Sequence, residues 1–475
     1  MIQNSQFVGL KKRGVDIRID ADGTELYGNK FGVNQAVTEI IWNTENGIYI
    51  DQADNTIIGS VENPNYICGD GIGHGGVHLA NANGTQIIGN YIGTNENYDD
   101  LRNKGSGVEV TYLSADTYVE GNVLGYNLEY GIEIRSTANT SSTVVNANTI
   151  VGNLDGGVYV SSSSNNIVSN NYIGTNVDGD LGLGNANHGI LIDSPVDNSE
   201  IINNTIAYNG TTDEHYGIKV AETSSLNYWE GNSIYLNGDQ TLNSKAIDFD
   251  DNTQENVEVV TLVSYNAITN TIVFNLSADA SYVEFYLDSL NQALELIATS
   301  TTDLGTGENT YQLSEDELAA MEAGFGNGLS NLTAIATYES GTSSVSSEVS
   351  SSLELCLTPL MVTSISDDGS CGTLRHAVDF ANINAGADII TFDPLLDGGV
   401  ITLGSVLELT GGETSIDGDF EDDGIPNIQL TGDESLVAMR VTSSDNVING
   451  LSFVNVALAL SINSCLLYTS DAADD

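Results

Sequence analysis

The sequence predicts an all-β protein: a parallel β-helix, then an immunoglobulin-like β-sandwich, then the capped start of a second β-helix. Three observations carry this. A short glycine-led hydrophobic motif recurs along the first half, a pair of asparagines follows it at a fixed phase, and 50 Gly against 5 Pro with few basic residues point to turn-rich β structure rather than helical bundles.

The glycine motif is Gly-apolar-x-apolar. It begins at Gly14, Gly47, Gly76, Gly107, Gly131, Gly157, Gly189 and Gly217, with an alanine variant at Ala246, at intervals of 24 to 33 residues. Alternation at period two makes each a strand whose apolar residues, such as Val108 and Val110 or Ile132 and Ile134, point inward. Repetition at this period is the mark of a solenoid. The second landmark is Asn-x-x-x-x-Asn, at Asn29/Asn34, Asn90/Asn95, Asn122/Asn127, Asn148/Asn153, Asn171/Asn176, Asn204/Asn209 and Asn232/Asn237. In the remaining coil Ser60 stands for the first Asn and Asn65 for the second. Asparagine tolerates left-handed turns, and its amide both donates and accepts, so stacked copies are expected to form a ladder.

The stretches "IIGNYIGTN" (87–95) and "NNYIGTNVDGDLGLGNANHGILI" (170–192) resemble bacterial secreted proteins with right-handed parallel β-helix repeats, the pectate-lyase-like superfold. The resemblance covers roughly residues 1–250. It implies the fold; on function it leaves polysaccharide lyases, hydrolases, adhesins and surface proteins open.

Charge narrows the partners. Twelve Lys and Arg against 66 Asp and Glu give a net charge of −54, which excludes nucleic acid and anionic membrane, since phosphate contacts need clustered cations. With 40% hydrophobic residues the chain still has the apolar surface to fold. No run reaches the ~18 to 20 apolar residues of a membrane helix, so no membrane insertion is expected. Lys11, Lys12 and Arg13 are followed by no apolar stretch, so the opening residues read as no signal peptide. Four cysteines fit neither zinc spacing nor a dense disulfide framework; Cys356 and Cys371 either pair across a domain junction or stay as thiols.

The expected domains are a β-helix over 1–255, a sandwich over 256–352, a cap and first coils of a second β-helix over 353–464, and an artefact over 465–475. Alternating strands at Val257–Val263, Thr271–Leu276, Tyr282–Leu287, Leu294–Thr299, Leu332–Tyr338 and Ser343–Val349 suit the sandwich. Ser314–Glu322 reads as a single helical turn in a loop. The segment from Met361 resembles the opening of another β-helix of the same family. There Leu374, Ala377, Val378 and Ala381 share one helical face suited to capping the stack. Asn4 falls at an expected ladder position, which reads as a start inside a coil, and "CLLYTSDAADD" resembles a translated sequencing adapter. The expectation is a monomeric fragment of a longer secreted or cell-surface chain.

Stacking aligns the outward residue of each coil into one row: Asp16, Tyr49, His78, Glu109, Glu133, Tyr159, Leu191, Lys219 and Asp248. Neighbours lie about one strand spacing apart, ~4.8 Å. Glu109 and Glu133 therefore form a carboxylate pair with Arg135 beside it, the arrangement a glycosidase or a lyase needs, and these three are the catalytic candidates. Tyr49, His78, Tyr159 and Lys219 are the substrate-binding candidates. The longer loops Glu96–Ser106 and Val177–His188 are expected to rise as groove walls around Glu133 and Tyr159. Against this stands the simpler reading of a solvated acidic surface.

Three other motifs are set aside. Gly73-His74-Gly75 lacks the acidic and basic motifs that should flank it, Gly71-x-Gly73-x-x-Gly76 has no following helix for a pyrophosphate, and His188 with His215 lacks a third metal ligand. Asp417, Asp419, Glu421, Asp423 and Asn427 alternate through "DGDFEDDGIPN" as expected calcium ligands, with Asp178 and Asp180 a weaker set. The functional expectation is adhesion or carbohydrate binding through the β-helix face, with a polysaccharide lyase or glycoside hydrolase as the alternative. The partner is a polysaccharide or cell-surface glycan.

Overall fold

Alternating apolar residues with a turn signal every few positions commit each coil to three short strands, because only repeated pairing with the coils above and below satisfies their backbone groups. In the computed structural model these strands stack into three parallel sheets, here A, B and C, each of nine strands among the described residues and each in sequential order. The structure describes all residues except 72–74, 137–141, 180, 194, 222–223, 225–226, 240–245, 250–259, 267–268, 289–292, 302–303, 327–330, 341–342, 348, 351, 357, 385, 421–423 and 464–475, with backbone alone at 322, 325–326, 339–340, 343–345 and 354. The chain divides into two compact units: Met1–Ser264 with Asn270–Glu354, and Tyr265–Thr269 with Leu355–Asp475.

Sheet C runs from Val15–Arg18 to Ile247–Phe249 and is built by the glycine-led motifs. Ile48, Ile50, Val108, Val110, Ile132 and Ile134 are fully buried on its inner side. Each such side chain contributes ~1.5 to 3 kcal/mol on burial. The leading glycines are required by the neighbouring coil: a Cβ on Gly131 would meet Ile150 Cγ2 at 2.4 Å and Gly157 O at 2.9 Å.

Two asparagine ladders run along the helix, not one spaced pair per coil. The first, at the turn from sheet A to sheet B, is Asn29, Asn65, Asn90, Asn122, Asn148, Asn171, Asn204 and Asn232. Each carboxamide nitrogen from Asn29 to Asn148 donates to the next Oδ1 at 2.9 to 3.0 Å. Asn65 therefore fills the first position, and Ser60 is not a rung. The second ladder, at the turn from sheet B to sheet C, is Asn43, Asp70, Asn103, Asn127, Asn153, Asn185, Asn209 and Asn237. Asn34, Asn95 and Asn176 stand outside it; their Oδ1 atoms accept from Thr38, Asn97 and Leu181 backbone N–H groups. Insertions enter before the rung, so the five-residue spacing finds the rung only in uninserted coils. At the start of the stack Ser5, not Asn4, donates its N–H to Asn29 Oδ1 (3.0 Å).

The inserted loops fold back over the outer side of sheet B. Leu101 packs with Val33, Val37 and Cys68, and its N–H returns to Gly93 O (3.0 Å). Leu183 N donates to Gly174 O (2.9 Å), and the Tyr235 hydroxyl donates to Gly179 O (2.8 Å). Among the described residues these loops do not form the expected walls beside Glu133; their ends Ser106 and His188 reach sheet C.

After the last coil come antiparallel strands. Thr271–Leu276 pairs with Gly307–Gln312, and Tyr282–Asp288 lies between Glu295–Ser300 and Asn331–Ser340. Ser314 opens a 12-residue helix, Glu315–Gly326, longer than the single turn expected. The cause is a capping box: Ser314 Oγ accepts from Glu317 N (3.3 Å), while the Glu317 carboxylate accepts from Ser314 N (2.7 Å). This segment closes the helix end. Trp229, on the last strand of sheet A, is buried, its indole Nε1 donates to Ser347 O (3.1 Å), and Gly231 N donates to Glu284 Oε1 (2.8 Å).

In the second unit Cys356 and Cys371 form a disulfide. The helix Leu374–Ile383, capped by Thr373 Oγ1, buries the expected face of Leu374, Ala377, Val378 and Ala381. Three further parallel sheets of four, three and three strands follow, repeating the coil pattern.

Candidate functional site

Because sheet C is in continuous register, its outward residues form one row. Asp16 pairs with Tyr49, Tyr49 with His78, His78 with Glu109, Glu109 with Glu133, Glu133 with Tyr159, Tyr159 with Leu191, Leu191 with Lys219 and Lys219 with Asp248. The row runs along the helix axis, so its members do not converge on one point. Lys219 is three strands from Glu133, ~14 Å at the usual spacing, and its Nζ is paired with Asp248.

The chemistry concentrates at the centre. Glu133 is only 5% exposed; its Oε1 receives Arg135 Nε (2.7 Å) and its Oε2 receives the Ser106 hydroxyl (2.7 Å). Burial raises the Glu133 pKa; the Ser106 bond and the Arg135 charge oppose the rise, and the Glu109 charge adds to it. Glu109, also buried, has Oε2 2.6 Å from His78 Nδ1, off the direction a ring N–H bond requires, and His78 Nε2 is 3.0 Å from Thr111 Oγ1. Glu129, two residues before the Gly131 strand, is raised by burial and then by the Glu133 and Glu109 charges. Four titratable groups and one guanidinium therefore share a patch in which the Glu109 charge opposes ionisation of Glu133, and both oppose that of Glu129. Glu109 and Glu133 are buried and Glu133 is paired, which departs from the solvated acidic surface.

The aromatic candidates are covered. Tyr159 stacks on Tyr130 (4.7 Å), lies under Arg135 (4.9 Å) and donates its hydroxyl to Asp193 Oδ2 (2.6 Å). Tyr49 is flanked by the guanidinium carbons of Arg13 (3.7 Å) and Arg18 (4.9 Å). Tyr159 is buried and Tyr49 half-buried. The accessible member of the centre is Arg135, whose side chain is 55% exposed. Ser106, Glu129 and Asp193 were missed from sequence because they lie outside the repeating tetrapeptide. Position just before the strand glycine is the signal that finds Ser106 and Glu129.

For calcium, Glu421 and Asp423 lie outside the described residues, as do His74 and Asp180. Asp417 Oδ1 accepts from Asn449 Nδ2 (2.9 Å), Asp419 Oδ2 from Gly424 N (2.8 Å), and Asn427 Nδ2 donates to Asp397 (2.8 Å). Among the described residues no group of three or more His, Cys, Asp or Glu is placed to hold a metal ion.

No curated protein matches the chain. Among solved structures, the periplasmic alginate epimerase AlgG matches at 14% identity and TM-score 0.36, over 48% of each chain. A tailspike protein of Acinetobacter baumannii bacteriophage Fri1, a capsular polysaccharide depolymerase, matches at 9% identity and TM-score 0.25, over 71% of this chain and 62% of the other. The enzymatically active domain of bacteriophage CBA120 tailspike protein 2 matches at 9% identity and TM-score 0.30, over 70% and 68%. The chain spans about half the length of the epimerase. Residues 1–180 match the family described as the right handed beta helix region, and this part of the chain is a right-handed parallel β-helix.

Proposed function

We propose that the first β-helix binds a polysaccharide laid along the outer side of sheet C, within a modular extracellular or surface protein. The observation that carries this is the unbroken register from Tyr49 to Tyr159. It presents a polar strip along the axis, with Arg135 exposed at its centre. A strip suits an extended polymer better than a small molecule, which needs groups that converge in a pocket. The Cys356–Cys371 disulfide fits an oxidising compartment. The strands after the last coil act as an immunoglobulin-like spacer in this reading, and calcium is a proposed ligand of the 417–427 turn.

A second reading, polysaccharide lyase or hydrolase, is favoured by one feature: the raised pKa of Glu133 beside Glu109, which suits a proton donor or acceptor. A glycan array probed with the full chain, paired with assays for reducing and unsaturated ends, separates the readings. Binding without product supports adhesion or display; product that disappears in Glu133→Gln supports the enzyme. Failure to bind any polysaccharide removes both.

A further inference from the structure

Sheet B carries its own outward row. Tyr66, Tyr91, Val123, Thr149, Tyr172, Thr205 and Ser233 are in register. The signal was present in the sequence, since Tyr66, Tyr91 and Tyr172 each follow a rung of the first asparagine ladder. Where this row approaches the end of the helix there is a cleft of ≈ 440 Å³. That size falls within the ~300 to 1,000 Å³ of ordinary ligand pockets.

The floor is Tyr172, Thr205 and Ser233, on three successive strands. One wall is the turn at 177–179, held by the Tyr235 hydroxyl on Gly179 O (2.8 Å) and by the bridge between Thr175 and Gly182. The opposite wall is Leu294 and Glu295, held by the Ser233 hydroxyl on Leu294 O and by Ile234 N on Ala293 O (2.5 Å). Both walls are therefore fixed before a ligand arrives, which lowers the ordering cost of binding.

We propose that this cleft is a binding site for a non-acidic saccharide. It goes beyond the sheet C reading and lies on a different sheet. Tyr172 and Tyr235 supply phenol rings for the apolar face of a sugar, as aromatic residues with one polar tip do at wet interfaces. Asp178 and Glu295 supply carboxylate acceptors for sugar hydroxyls, the charge-assisted bonds that fix orientation. Among the described residues the lining contains no Lys, Arg or His. A uronate, sulfate or phosphate would meet two carboxylates with no counter-charge, on a chain of net charge −54.

The test is ligand-observed saturation-transfer NMR on the full chain with cellohexaose, maltohexaose, mannohexaose and a chitosan hexamer, and hexagalacturonate as the acidic control. Saturation transfer to at least one non-acidic hexamer and none to hexagalacturonate is expected. Tyr172→Ala and Thr205→Trp, the second filling the cleft from its floor, should each weaken that binding tenfold or more while melting stays near wild type. Hexamer binding that is lost in Arg135→Ala but kept in Thr205→Trp belongs to the sheet C strip and would overturn the proposal, which keeps the two sites distinguishable. Binding of none of the non-acidic hexamers, equal binding of hexagalacturonate, or full binding by a folded Thr205→Trp variant would each overturn the proposal.

Discussion

Asp70 takes the place of an asparagine directly below Asn103 in the second ladder. Its backbone N–H donates to Asn103 Oδ1 at 3.1 Å, and its Oδ1 accepts from Asn43 Nδ2 at 3.1 Å. Its Oδ2 stands where every neighbouring rung has an amide donor and makes no hydrogen bond among the described residues. Complete burial lifts the Asp70 pKa well above the carboxylate range; Asn43 and the Gly47 N–H oppose the rise. A neutral acid can donate as an amide does, whereas a carboxylate there would face Asn103 acceptor to acceptor.

Asp70→Asn is expected to stabilise the first unit by about 1 to 2 kcal/mol at pH 7, because the amide donates there without the cost of taking up a proton on folding. A carboxyl with a raised folded pKa contributes most below its unfolded pKa of ~3.9, and that contribution falls as pH rises towards the folded pKa. Urea unfolding from pH 4.5 to 8 should show the gain of the variant growing with pH. A gain that is constant or shrinks with pH means Asp70 is ionised in the folded chain.

Asn148→Leu removes the acceptor of both the Asn122 backbone N–H (2.9 Å) and its carboxamide (3.0 Å), and the donor to Val119 O (2.8 Å). Each buried group left unpaired costs ~1 to 3 kcal/mol, so a loss of several kcal/mol is expected in chemical denaturation. An unchanged midpoint would contradict ladder stacking as a source of stability.

Glu284, at the closed end of the helix, has a pKa pushed up to about 7 by burial, against the bonds from Gly231 N and the Tyr286 hydroxyl. Its contribution is full below the unfolded pKa of ~4.3 and is lost as pH rises through about 7. Glu284→Gln should flatten the stability profile between pH 4.5 and 8, read by thermal melting. An unaltered slope would show that the carboxyl does not titrate in that window.

Reduction of Cys356–Cys371 should act on the second unit. The closed loop spans a sequence separation of 15, for which chain entropy gives ~3 kcal/mol. Melting with and without reductant is expected to lower a transition belonging to the second unit and leave that of the first in place.

The coil was legible because every inward position repeats: the strand glycines and the alternation at Val108 and Val110 needed no tertiary information. The ladders were half legible. Asn122 and Asn127 share an uninserted turn, whereas the rung Asn103 is separated from Asn90 by a loop whose path only folding defines. The site was harder. Register put Glu109 beside Glu133, but the covering of Tyr159 by Tyr130, Arg135 and Asp193 depends on side chains from three coils, which no period reports. The loops misled because length alone does not say which sheet a loop folds over, and Leu101 supplied the apolar anchor that drew one onto sheet B.

The central claim is that sheet C binds a polysaccharide around Arg135, and calorimetric titration of the array-selected polysaccharide into wild type and Arg135→Ala tests it most directly. The account predicts binding by wild type and at least a tenfold loss in Arg135→Ala, ~1.4 kcal/mol, with melting unchanged. Equal affinity in a folded Arg135→Ala variant would contradict it.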